Sequence, residues 1–397
     1  MTVLPLAGIK VVEFTHMVMG PAVGAILAEL GAEVIKVEPI GGDATRRLLG
    51  SGAGYFPMYN RGKSSICIDL KSAEGLGVAQ KLAASADVMI ENFRPGAMDR
   101  LGLGYETLKR ANPRLIYCSE KGFLPGPYEE RTALDEVAQM MGGLAYMTGP
   151  PGRPLRAGAS VIDVAGGMFG VIGVLAALEA RHRTGEGAHV QSALFETTAY
   201  LVGQHMAQKA VTGKAAAPMP ARVSAWAIYD VFETADDDQM FVGVVTDALW
   251  AKFCTLFGLA DLWADESLRA NNARVQARET LMPRVRAELK RFTKAELIGR
   301  LDGSGLPFAP IGRPEDLFED PHLLAGGGLA PVVLDDGTET MLPVLPIAID
   351  GARLGGGALP TAGADTAAVL AGLGIAPGEA AALLASGAVA GGAVAGR

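Results

Sequence analysis

Cysteine is scarce in this sequence, and positive charge is not in surplus. The 397 residues include three cysteines, Cys67, Cys118 and Cys254, odd in number and far apart. Disulfide frameworks and zinc sites need paired, closely spaced thiols, so the pattern fits reduced thiols in a cytosolic protein and no metal site. The net charge is −8, whereas a general nucleic-acid surface needs a concentrated basic face. The opening MTVLPLAGIKVVEFT has no cleavable apolar core, and the longest strongly apolar run falls short of the roughly 20 residues of a membrane span. The expectation is a cytoplasmic protein with neither nucleic acid nor membrane as partner.

A dinucleotide fingerprint is also missing. Gly8 to Phe14 reads as a strand, Gly20 to Leu30 as a helix stopped by Gly31, and Glu33 to Glu38 as a second strand. Glu38 could then hold a ribose. The intervening turn reads T-H-M-V-M-G, however, without the glycines that let a pyrophosphate reach the helix N-terminus. This argues against a nicotinamide cofactor.

What is present is a chain 49% hydrophobic and 20% charged, ample for two domains or one large α/β unit. Strand candidates at Ser65 to Asp69, Asp87 to Glu91 and Arg114 to Ser119, with a helix beginning near Ser72, predict a parallel sheet covered on both faces. A helical segment is expected at 134–149. After Thr197 come a helix and a polar linker. Two short strands then flank the acid run Asp236 to Asp238, followed by helices at 249–263 and 274–292, the pattern of a smaller α+β domain. The predicted organisation is a large Rossmann-like domain (1–196 and 326–397), a linker (197–225) and a small α+β domain (226–325). A closing helix is expected at 358–375, with the last dozen residues frayed.

The stretch from Gly158 to Phe195 stands out. Asp163 precedes an uncharged run from Val164 to Leu178 in which Gly166, Gly167, Gly170 and Gly173 recur at helical spacing, leaving a stripe that a backbone or a flat ligand can approach closely. Free amides and the helix dipole at the first turn favour an ionised carboxylate. Position alone admits both an N-cap and a nucleophile.

The pattern G-x-x-x-x-D-x-x-G-x-x-x-x-x-x-G-x-L-A-A-L-x-x-R-x-x-T-G-x-G beginning at Gly158 resembles the active-site stretch of the family III CoA-transferases. The runs EFTHMVMGP (13–21), LGAEVIKVEPIGGDATR (30–46), YFPMYNRGKSSICIDLK (55–71), ENFRPGAMDRLGLGYE (91–106) and NPRLIYCSEKGF (112–123) resemble that family's CoA-binding half. The resemblance implies a covalent aspartyl intermediate at Asp163 and coenzyme A as a substrate, not a permanent cofactor. It implies CoA contacts from His16, Met17, Val18, Met19, Arg46, Lys63, Lys71, Asn92, Phe93 and Arg100. His16 reads equally as an ordinary hydrogen-bonded turn residue. A substrate pocket is implied around Leu48, Tyr55, Leu134, Asp135 and Trp226, with backbone amides beside Asp163 or at 141–143 as oxyanion donors. Partners would be an acyl-CoA, a small carboxylic acid and a second copy in an interlocked, ring-like homodimer.

Leu48 and Leu134 stand where formyl-CoA transferases carry aromatics, which points to a C4–C5 dicarboxylate exchanging with succinyl-CoA. The alternative on the same fold is an α-methylacyl-CoA racemase, whose base would occupy the position of Leu134.

Overall fold

The computed structural model describes residues 4–222 and 224–391. The chain divides into two compact units, 1–220 with 320–397, and 221–319.

The larger unit is built on β1 (Lys10–Phe14), β2 (Glu33–Glu38), β3 (Ser64–Ile68), β4 (Val88–Glu91), β5 (Ile116–Lys121) and β6 (His189–Ala193). They lie in the order β3-β2-β1-β4-β5-β6, all parallel, and Val389–Ala390 adds an antiparallel strand beside β3. This is the order of a doubly wound α/β sheet, with its reversal point between β1 and β4. Period-two burial explains how one sheet feeds two cores. Val12, Phe14 and Met89 face a core shared with helix α2 (Ala73–Ala84), whose first turn is capped by Ser72. Val11, Val88, Ile90 and Ile116 face the other, shared with helix α1 (Met19–Glu29) and the long helix α4 (Val161–Thr184).

Helix α4 reaches further than the uncharged run because its charged last turn, ending at Gly185 with φ 75°, continues the same hydrogen bonding. By length and composition it could cross a membrane, which corrects the reading that no run is long enough; here its glycine stripe packs against α1 and its apolar face against the sheet. The expected helix at 134–149 is two, α3 (Asp135–Met141) and a short Leu144–Thr148, separated where Gly143 adopts φ 86°. Strand β6 went unforeseen, its alternation being masked by the helices on either side. Helix α5 (Leu194–Thr212) follows it directly. The closing helix is only Thr366–Gly372; a further helix, Pro377–Ala385, and the edge strand follow it. Of the dozen residues expected to fray, Val389 and Ala390 are paired, and 392–397 lie outside the described residues.

The smaller unit pairs β7 (Tyr229–Glu233), β8 (Gln239–Gly243) and β9 (Phe308–Pro310) in an antiparallel sheet. Helices including α6 (Asp247–Leu256), α7 (Arg278–Leu289) and α8 (Lys294–Leu301) pack on it around Phe232, Trp250 and Phe253. A Thr293/Glu296 capping box starts α8.

Candidate active site

Open parallel sheets bind ligands beyond the carboxyl ends of their strands, at the reversal point. Here that point lies between the turn after β1 and the turn after β4, and they are tied together. The His16 N–H donates to Asn92 Oδ1 (3.1 Å), and Asn92 Nδ2 donates to the His16 carbonyl (2.8 Å). The His16 ring stacks on Phe93, centroids 5.4 Å apart.

Met17 holds φ 63°, a left-handed conformation that costs a non-glycine residue energy unless its surroundings impose it. They do. The Met17 N–H donates to Thr45 Oγ1 (3.1 Å), and that hydroxyl donates to Asp43 Oδ1 (2.8 Å). Asp43 is in turn paired with Lys36 (3.1 Å), whose Nζ donates to the Thr15 carbonyl (2.8 Å). This buried cluster fastens the turn.

Lys63 belongs to the same cluster. Its Nζ donates to both Glu13 oxygens (2.8 and 2.9 Å), the Pro21 carbonyl (2.9 Å) and Asn60 Oδ1 (3.2 Å). Burial, and secondarily the nearby Lys36, hold its ammonium down to about 8. The expectation of a CoA contact from Lys63 is corrected: its charge neutralises a buried acid and faces no cleft. Arg46 is likewise occupied, bidentate to Glu38 (2.8 Å each), with Phe56 under its guanidinium at 3.8 Å and the Pro360 carbonyl at 2.7 Å. It borders a separate groove with Arg47 and residues 330–335, not the Asp163 cavity. Lys71, Arg94 and Arg100 are exposed cations beyond the strand ends.

Asp163 is the third residue of α4 and is half-buried. It opens into a cavity of about 230 Å³, whose walls include His16 to Met19, Asn92, Tyr55, Leu134 and Asp135. Residues from the two strand-end turns, α3 and α4 therefore converge on one space. Leu48 does not line it; its side chain packs over Gly52. Trp226 belongs to the smaller unit, where its ring lies 5.0 Å from that of Tyr229.

Residues are also present that the sequence did not flag. Glu120, Lys121, Arg156 and Ser160 line the cavity. For Glu120 a signal existed: it stands on the inward face of a strand otherwise reading Ile116, Cys118.

The electrostatics reverse the sequence reading of Asp163. The Asp135 carboxylate takes the helix amides, with Oδ2 accepting from Ile162 N–H (2.9 Å) and Asp163 N–H (3.2 Å). Gln139 Nε2 holds its other oxygen at 2.5 Å. Oxyanion donors therefore do not come from these amides, nor from Gly142, whose N–H goes to the Ala138 carbonyl (2.8 Å). Burial, and then the Asp135 charge, push Asp163 up to about 7, with Arg156 opposing. Arg156 bonds Glu136 (2.8 Å) and the Ala157 and Ala159 carbonyls (3.1 Å each), and lies 3.5 Å from Asp135. The result is a carboxylate that is weakly solvated and uncapped, hence a better nucleophile than a capped one.

The glycine stripe admits protein, not a flat ligand. A Cβ on Gly166 would stand 2.5 Å from Met19 Cε, and one on Gly167 would stand 2.9 Å from the Met19 carbonyl oxygen. The stripe thus sets the distance between Asp163 and the His16–Met19 turn.

The family model for CoA-transferase family III matches residues 6–366. The succinate–glutarate CoA-transferase of Agrobacterium fabrum is 34% identical over 347 residues, 84% of this chain and 86% of that protein. The acetyl-CoA:oxalate CoA-transferase of Acetobacter aceti is 35% identical over 354 residues, 87% and 90% respectively. A CAIB/BAIF family protein from Brucella suis has a solved structure that superposes with a TM-score of 0.82 at 36% identity, over 93% of this chain and 99% of that one.

Proposed function

Because this chain belongs to CoA-transferase family III, we propose that it moves CoA from succinyl-CoA to a C4–C5 dicarboxylate through a covalent intermediate on Asp163. The observation that carries this is the uncapped, half-buried Asp163 carboxylate opening into the cavity that the turns after β1 and β4 also line.

The Asp163 carboxylate attacks the thioester carbonyl, the C–S bond breaks, and a mixed anhydride and CoA thiolate form. The thiolate then attacks the aspartyl carbonyl, releasing the first acid and leaving an aspartyl thioester. The incoming acid reverses both steps and departs as its CoA ester, so no net proton is consumed. In this reading His16 to Met19, Asn92 and Phe93 hold the pantetheine and nucleotide arm, while exposed Lys71 and Arg100 supply charge to its phosphates. Tyr55, Leu134 and Asp135 border the acid.

Succinate–glutarate and succinyl-CoA:glutarate relatives favour a C4–C5 diacid, whereas the relative that uses oxalate, a C2 diacid, is equally similar. A panel of acids assayed with succinyl-CoA decides the point, and turnover confined to formyl-CoA and oxalate would remove the C4–C5 assignment. For the intermediate, the protein is incubated with succinyl-CoA, trapped with hydroxylamine and analysed by mass spectrometry. Modification at Asp163 is expected, and modification elsewhere refutes the mechanism.

The racemase reading is the weaker one, since Leu134 offers no base; deuterium entering the acyl α-carbon in heavy water would restore it. The proposal includes a cytoplasmic, interlocked homodimer. Supporting a partner chain are the exposed apolar side chains Met168 (51%), Ile172 (58%), Tyr200 (74%) and Met206 (65%) on α4 and α5, since exposed apolar surface marks interaction sites.

A further inference from the structure

One wall of the Asp163 cavity is formed by an acid for which the transfer chemistry above has no use. Glu120, at the end of β5, is 2% exposed and borders the cavity. Its Oε1 accepts from the Cys118 thiol (3.2 Å), while Oε2 is buried with no hydrogen-bond partner among the described residues. An orphaned buried carboxyl oxygen is costly, and so needs an explanation.

The carboxyl occupies the space left by a glycine: a Cβ on Gly170 would stand 2.0 Å from Oε1. From the sheet, the charged groups facing it are Glu91 and Lys121, themselves ion-paired at 2.6 Å. Helix α1 brings Val23 to 3.2 Å from a Cβ on Gly170, and β6 pairs Ser192 with Glu120. Across the cavity on α4 is Asp163. Burial foremost, with the Glu91 charge adding to it, pushes Glu120 up to about 8, so near pH 7 it is a neutral acid with a proton to donate.

Resting on the CoA-transferase reading, we propose that Glu120, as a carboxylic acid, donates a hydrogen bond to the distal carboxylate of the diacid and so determines specificity at this site. Asp163 and Gly170 are two helical turns apart on one face of α4, about 10 Å along its axis. Both carboxyls border the same cavity, so a diacid held at its reacting end by Asp163 can meet Glu120 with its distal carboxylate. Met19, whose Cε covers Gly166 between the two levels, gives the intervening methylenes an apolar wall. A neutral acid accepts the second negative charge where an ionised one would repel it.

The test compares the rate of CoA attachment to Asp163 from succinyl-CoA and from butyryl-CoA, which has a methyl in place of the distal carboxylate. It uses the full-length protein, Glu120→Gln and Glu120→Met between pH 6.5 and 9.5. The unaltered protein is expected to prefer succinyl-CoA at least tenfold at pH 7 and to lose that preference above pH 8. Glu120→Gln keeps the preference at every pH, and Glu120→Met abolishes it while still reacting with butyryl-CoA. A preference within twofold of the original in Glu120→Met, or one that stays level to pH 9.5 in the unaltered protein, overturns the proposal. Absence of attachment from either ester would instead overturn the assignment of Asp163 on which it rests. Thermal denaturation of both variants checks folding.

Discussion

Replacing Asp163 by Asn removes a charge that the structure holds under strain, and its effect on stability has a definite sign. The folded carboxyl is raised from an ordinary 3.8 to about 7, by burial first and the Asp135 charge second. A raised acid contributes stability that is fully present below the unfolded value and is lost as pH climbs through the folded one. The unaltered protein therefore loses stability between about pH 4 and pH 7, and Asp163→Asn does not. About three pKa units at about 1.4 kcal/mol each set a ceiling near 4 kcal/mol. Partial exposure reduces this to about 2 kcal/mol.

Thermal denaturation at pH 4.5, 6 and 8 is the assay. The two proteins should differ little at pH 4.5, with the variant melting about 2–3 °C higher at pH 8. Equal melting at pH 8, or a less stable variant, would refute the reasoning, for it would mean that the helix amides stabilise the Asp163 anion after all. The same carboxyl sets an acidic limb: formation of the covalent adduct from succinyl-CoA should rise with pH through about 7, because only the anion attacks.

Asp135→Asn weakens acceptance of the Ile162 and Asp163 N–H groups and should cost about 1 kcal/mol. It also removes a like charge, so the acidic limb of adduct formation should move to lower pH. Gly167→Ala places a methyl 2.9 Å from the Met19 carbonyl oxygen and 3.2 Å from Ala22 Cβ; a loss of about 1–3 kcal/mol is expected in chemical denaturation, with the KM for acyl-CoA raised by the displaced turn. Lys63→Met leaves Glu13, among the described residues, with only Lys36 at 3.6 Å and should cost about 3 kcal/mol. Lys71→Ala and Arg100→Ala, both exposed, should leave melting unchanged and raise the KM for acyl-CoA several-fold, an effect weakened by salt.

The sequence by itself determined the five strands and the two longer helices from Lys10 to Lys121, because alternation with period two and amphipathic helical spacing are local properties; the short helices Tyr55–Tyr59, Ala97–Arg100 and Tyr105–Ala111 went unread. It determined that Asp163 lies in the first turn of a glycine-striped helix, since both features follow from neighbours a few residues away. Tertiary structure decided the rest. Whether Asp163 keeps its own helix amides depends on Asp135, 28 residues earlier, and the sequence reading of an amide-stabilised anion failed for that reason. Lys63 and Arg46 read as basic residues available to phosphate until the fold set Glu13 and Glu38 against them. Glu120 showed only as an acid in an apolar strand. Burial and pairing are properties of partners distant in sequence, and they fix whether a charge is spent inside the fold or presented to a substrate.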